Sequence, residues 1–199
     1  DNIGRDILSN IIHGARISAY VGFISVAVGT GIGLLWGLAS GYIGGTFDLV
    51  SQRLVDILLA LPALLLAMAL MAALGISVAN TIMAISIAFI PTATRVVRAS
   101  AIVTKEMTYV ESARAIGASP WRISFVHVFP QCIAPYLIVA TTSLGAAILL
   151  EASLSFLGVG IPPTSPSWGR LAAGIGRSYI TTAPWISIFP GLAITITVL

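Results

Sequence analysis

The chain of 199 residues is predicted to be an all-α, polytopic membrane protein, a bundle of about five transmembrane helices interrupted by one polar, basic island. Three observations lead there. Hydrophobic residues make up 57% of the chain and charged residues 9%, with a mean hydropathy of +1.01, whereas soluble domains carry about 25% charged residues. Several apolar stretches reach about the 20 residues that cross a bilayer, too long for the short apolar runs of a soluble core. The most polar segment of any length is confined to Thr104–Arg122.

Residues 1–16 precede the first span and residues 17–199 form the membrane domain. Its spans are read as Ile17–Tyr42, Leu54–Leu74, Val78–Val97, Gln131–Leu157 and Pro184 onward, each apolar nearly all round. Between them lie Ile43–Arg53 with Asp48, an uncharged turn at Gly75–Ser77, the island at about 98–130, and a Pro/Gly/Ser-rich loop at about 158–183. Strict alternation puts Ile43–Arg53 and the island on one side. Of the 10 basic residues, Arg53, Arg95, Arg98, Lys105, Arg114 and Arg122 fall on that side, and Arg5, Arg16, Arg170 and Arg177 on the other. The concentration around Arg95–Arg122 makes the island cytoplasmic, because short basic loops are retained inside. Asp1 is not a methionine, no signal peptide opens the chain, and Leu199 ends an apolar run. The sequence therefore reads as a piece of a longer protein, with its last span cut short and a span or targeting signal expected upstream.

In the first span Gly29, Gly33, Gly37, Gly41 and Gly45 recur at every fourth residue, a ridge that lets another helix approach closely. The alternative is that glycine is simply common in membrane helices. A dinucleotide fingerprint at Gly31-Ile-Gly33 fails, because Trp36 occupies the third glycine position and no strand precedes it. Pro62, Pro91 and Pro190 interrupt apparent spans, either as hinges or as prolines whose freed carbonyls are satisfied by neighbours. Glu151 lies deep in an apolar stretch; it serves a pathway or fixes packing through local bonds to Ser153, Ser155 or backbone.

The island reads as helix, glycine turn, helix. Thr104 or a neighbour starts a helix carrying Lys105–Ile116, Gly117 ends it in the left-handed conformation, and Ser119 caps a second helix with Pro120 in its first position. Small Ser112, Ala113 and Ala115 leave one face slim, while Tyr109, Val110 and Ile116 offer apolar contact. Such an element suits a groove in another protein; the plainer reading is a loop that shields the bundle.

Glu111-Ser-Ala113, three residues, Gly117, nine residues, then His127-Val-Phe129-Pro130 resembles the Glu-Ala-Ala signature loop of binding-protein-dependent ABC importer permeases. Ser112, His127 and Phe129 depart mildly from its usual form. Ile3-Gly-Arg-Asp-Ile-Leu-Ser9, Gly14-Ala-Arg-Ile-Ser18, Arg53-Leu-Val-Asp56, Leu150-Glu-Ala-Ser-Leu-Ser-Phe-Leu-Gly158 and Pro166-Ser-Trp-Gly169 look like the C-type subunit of the dipeptide/oligopeptide/nickel branch. The resemblance implies a type I ABC importer permease fold and a pathway shared with a homologous B-type permease. It also implies two cytoplasmic ATPase subunits that bind ATP and Mg, an extracytoplasmic substrate-binding protein, and the cytoplasmic (inner) membrane of a bacterium or archaeon. Tyr109, Val110, Glu111, Ser112, Ala113, Arg114, Ala115, Ile116, Gly117, Ala118 and Ser119 would then form the coupling loop, and Trp168 and Arg170 would face the binding protein. No cofactor or metal is expected in this chain itself, and no enzyme activity: it carries no G-x-x-x-x-G-K-[ST] phosphate loop.

Rival classes fit less well. A self-contained channel or secondary transporter calls for clustered ionisable residues or an inverted repeat, and neither is evident. For a membrane enzyme, His13, His127 and the lone Cys132 form no hydrolase or zinc motif. Aromatics do not interleave with basic residues, so nucleic acid is set aside. Peptide cargo is preferred over nickel because no soft or imidazole ligands cluster in the spans.

Overall fold

In a computed structural model the described parts of the chain, residues 6–178 and 183–199 with no side chain described at 174–178, are built of helices and the turns that join them. The helices are α1 (Ile7–Ile43), α2 (Gly45–Leu59), α3 (Ala63–Leu74), α4 (Val78–Lys105), α5 (Thr108–Ala115), α6 (Pro120–Arg122), α7 (Phe129–Phe156), α8 (Trp168–Ser178) and α9 (Trp185–Val198), with a π-helical stretch at Ile123–Val128. Three unbroken helical stretches, Ile7–Ile43, Val78–Lys105 and Pro120–Phe156, are long and apolar enough to cross a membrane, or four if α2 and α3 are counted together as one. The fifth predicted span, α9, is an apolar helix of 14 residues.

Several boundaries differ from the hydropathy reading. Helix α1 begins at Ile7, because the polar residues before Ile17 carry no helix breaker except Gly14, which a helix tolerates. The three prolines behave differently. Pro62 is the N-cap of α3, extended at ψ 138°, and α2 has already ended at Leu59. Pro91 and Pro190 sit inside continuous helices. The segment Gly158–Ala183 is not all loop, since α8 occupies Trp168–Ser178. The π-helical stretch lies just before Pro130; a proline cannot donate to the carbonyl four residues back, and a widened turn absorbs the missing bond.

The chain divides into two compact units, one of residues 1–26, 62–88 and 143–199, the other of residues 27–61 and 89–142. In the second unit a glycine seam joins α1 to α4. A Cβ on Gly33 would lie 2.8 Å from the Ile90 carbonyl, on Gly37 2.5 Å from that of Thr94, and on Gly41 2.7 Å from that of Arg98. Glycine here lets backbone meet backbone, the packing that replaces hydrophobic drive inside a bilayer. Gly29 is buried a turn earlier. Gly45 is not part of the seam: α1 stops at Ile43, and Gly44 and Gly45 take φ of 70° and 59° to turn the chain into α2. A side chain on Gly45 would meet nothing within 4 Å. The first unit contains its own close approaches, Gly22 against Ile148 and Gly145 against Val198, and the predicted turn at Gly75, where Asn80 Nδ2 donates to the carbonyls of Leu74 and Gly75.

Candidate functional site

The island folds as a short helix seated on the second unit. Val110 and Ala113 of α5 join a buried cluster with Leu38, Val97, Ala101, Ile123, Val128 and Cys132. These two positions are three residues apart, so they share a helix face, and the opposite face is free. Glu111, Ser112, Arg114, Ala115 and Ile116 are exposed there, Ile116 to 86%. An apolar side chain held that far into solvent on an anchored helix is available to a partner protein.

The start of this helix corrects the sequence expectation. Thr104 is buried in the last turn of α4, which runs to Lys105. Met107 is the N-cap, its carbonyl accepting from the amides of Val110 and Glu111 at 2.9 and 3.1 Å. Downstream the local chemistry is as the residues dictate. Gly117 has φ 83°, and the Ala118 amide donates to the Ala113 carbonyl at 3.1 Å, closing the helix. Ser119 Oγ accepts from the Arg122 amide at 3.4 Å, with Pro120 leading the next helix.

Aromatic contacts brace the island. Tyr109 Oη donates to the His127 carbonyl at 3.4 Å, with the two rings 6.3 Å apart, and Trp121 stacks on Phe125 at 5.3 Å.

A charged network in the same unit was not read from sequence. Arg98 donates to both carboxylate oxygens of Asp48 at 2.5 Å, a bidentate pair tying α4 to α2. Ser40 also donates to Asp48, and Gln52 Nε2 donates to Ser40 at 3.1 Å. Arg95 pairs with Asp56 at 2.5 Å, and Lys105 Nζ donates to the Gly41 carbonyl at 3.0 Å. The clamp therefore closes the α1–α4 seam at its polar end.

In the first unit Glu151 is 0% exposed, and its Oε1 accepts from Ser155 Oγ at 2.7 Å. Trp168, expected to face an external partner, lies inside at 5% exposure. Its indole N–H donates to the Ile11 carbonyl at 3.0 Å and its ring packs against Gly14. Arg170 is half-buried, with Nη1 donating to the Ile161 carbonyl at 3.0 Å. Between α7 and α8 the exposed residues are Leu157, Gly158, Pro163 and Thr164. Arg5 and Arg177, counted for topology, lie outside the described side chains.

Residues 29–199 match the family model of binding-protein-dependent transport system inner membrane components. Over its whole length the chain is 44% identical to a putative peptide transport system permease protein of Brucella suis, of which it covers 67%. It is 43% identical to the glutathione transport system permease protein GsiD of Pectobacterium atrosepticum and to the di/tripeptide transport system permease protein DppC of Pseudomonas aeruginosa, covering 66% and 65% of them. The chain thus spans about two thirds of the length of these relatives. Among solved structures, inward-facing MetNI methionine ABC transporter matches with a TM-score of 0.79 at 18% identity, covering 96% of this chain and 91% of that one. An amino acid ABC transporter matches with a TM-score of 0.70 at 18% identity, covering 98% and 92%.

Proposed function

The chain belongs to the family of binding-protein-dependent transport system inner membrane components, and from that membership we propose that it is the permease subunit of an ABC importer carrying di- and oligopeptides. The observation that supports this most directly is α5, anchored by Val110 and Ala113 and presenting Ile116 and its neighbours to solvent. An element held rigidly on one face and free on the other transmits motion between bodies without changing its own fold. On this reading α5 rests in a groove of a cytoplasmic ATPase subunit. ATP-driven closure of two such subunits shifts it, and the transmembrane helices follow because α5, α1, α4 and α7 share one core. The ATPases have differential affinity for the two arrangements, which is what couples hydrolysis to switching.

The remaining assignments follow the same reading. A homologous B-type permease shares the pathway, a substrate-binding protein docks on the extracytoplasmic side that holds Pro163 and Thr164, and ATP and Mg belong to the ATPases. The membrane is the cytoplasmic membrane of a prokaryote, with the island inside. Peptide cargo is supported by the relatives, which are peptide, glutathione and di/tripeptide transport system permease proteins.

Site-directed crosslinking tests the docking. In the full-length protein assembled with its partners, Ile116→Cys is expected to crosslink to an ATPase subunit, with a yield that changes on adding ATP. Cys132 is buried and contributes little background. Crosslinks to lipid or to the other permease alone, unaffected by ATP, would remove the island from the coupling interface.

A further inference from the structure

Glu151 is a buried carboxyl group that no transport step described above uses, and its surroundings are unusual for a charge. It is 0% exposed. Oε1 accepts one bond from Ser155, while Oε2 has no hydrogen-bond partner. Among the described side chains, the hydroxyls of Ser18 from α1 and Ser167 from the turn before α8, both fully buried, also lie within its reach. The charged side chains described in this unit are engaged elsewhere or face solvent. His13 and Arg16 of α1 are exposed, and the Arg170 guanidinium is spent on the Ile161 carbonyl. Residues 62–88 and 183–199 contain no acidic or basic side chain.

A carboxylate in such a place requires donors on both oxygens or a cation, since an unpaired buried charge is costly in protein and in lipid. Hydroxyl groups differ from ammonium or guanidinium groups in being acceptors as well as donors. Each serine here already receives a backbone amide: Ser155 Oγ from Ile161 at 3.3 Å, Ser18 Oγ from Trp168 at 3.4 Å and Ser167 Oγ from Arg170 at 3.4 Å. A neutral acid completes the set, accepting at Oε1 from Ser155 and offering an O–H from Oε2 to the hydroxyl of Ser18 or Ser167. The three amides belong to the segment that runs from the end of α7 into α8. That segment is folded tightly back: a Cβ on Gly160 would lie 2.6 Å from Ser155 Oγ, and one on Gly169 would collide with the Ala152 backbone.

We propose that Glu151 binds a proton and acts as an uncharged latch that pins the Val159–Trp168 segment to α1 and α7 through Ser18, Ser155 and Ser167. Glu151 is thereby a positioning residue, and what the position requires is length and hydrogen-bonding capacity rather than charge. The latch concerns the first unit alone and stands apart from the identity of the cargo.

Three measurements on the full-length protein assembled with its partner subunits test it. Infrared difference spectra between wild type and Glu151→Gln at neutral pH are expected to show the carbonyl stretch of a protonated carboxylic acid in the wild type alone. Amide hydrogen exchange over Val159–Ser167 is expected to stay within about twofold in Glu151→Gln, whose amide both accepts and donates, and to rise by about tenfold or more in Glu151→Ala, which orphans buried hydroxyls. Transport is expected to follow the same order, with Gln rescuing what Ala loses. A carboxylate band in place of the acid band overturns the proposal. So does a Glu151→Gln protein that fails to assemble or exchanges as fast as Glu151→Ala. If Glu151→Ala itself does not fold, the infrared and Gln arms still decide.

Discussion

Gly117 is the residue on which the geometry of the island turns. At φ 83° a side chain costs about 1–2 kcal/mol, and more when it is β-branched. No atom lies within 4 Å of a Cβ built there, so the penalty is conformational rather than steric. Gly117→Val is therefore expected to leave the bundle assembled while displacing the end of α5, lowering substrate-stimulated ATPase activity of the complete transporter several-fold. Undiminished stimulation in that variant would contradict the role given to the island. Gly117, Ser119 and Pro120 were legible in sequence because turn and cap chemistry is local. Glu151 was legible as an oddity, but Ser18 and Ser167 were not legible as its companions, because only the folded chain brings α1 and the turn before α8 to the end of α7. Trp168 misled for the same reason: in sequence it is an aromatic residue in a polar loop, and its partner at Ile11 lies 157 residues away.

At the scale of elements, hydropathy found the three long spans because lipid imposes length and apolarity directly on sequence. It did not find where helices continue past the membrane, as α1 does, nor α8, whose Gly and Ser content reads as loop. It also failed to rank the prolines, since whether a proline breaks a helix depends on neighbours that satisfy the freed carbonyl. The Asp48–Arg98 pair was invisible because its members are 50 residues apart, although Arg98 was counted as a topology signal. The pair is partly shielded, with side-chain exposures of 30% for Arg98 and 16% for Asp48, between the surface and buried limits for ion pairs. Asp48→Asn and Arg98→Gln are each expected to cost about 1–3 kcal/mol, and the double variant less than the sum. Thermal unfolding of the four proteins in detergent measures this coupling. Strictly additive losses would mean that the two side chains do not act as a clamp.

The molecule as a whole joins a membrane bundle, a docked helix with one free face and membership of a family of importer components. Each was suggested by a different kind of signal, namely composition, local capping and motif spacing. They agree because a member of such a family needs spans to hold a pathway and a free face on which partners act. On the proposed function this chain moves peptides only when driven from outside itself. Uptake into proteoliposomes tests it most directly, using the full-length chain with its neighbouring permease, ATPases and binding protein, and offering labelled dipeptide and labelled nickel in parallel. Dipeptide uptake is expected to require ATP and every subunit, and to fall with Gly117→Val. Dipeptide uptake by this chain alone or without ATP would contradict the importer reading, and uptake of nickel alone would contradict the peptide assignment.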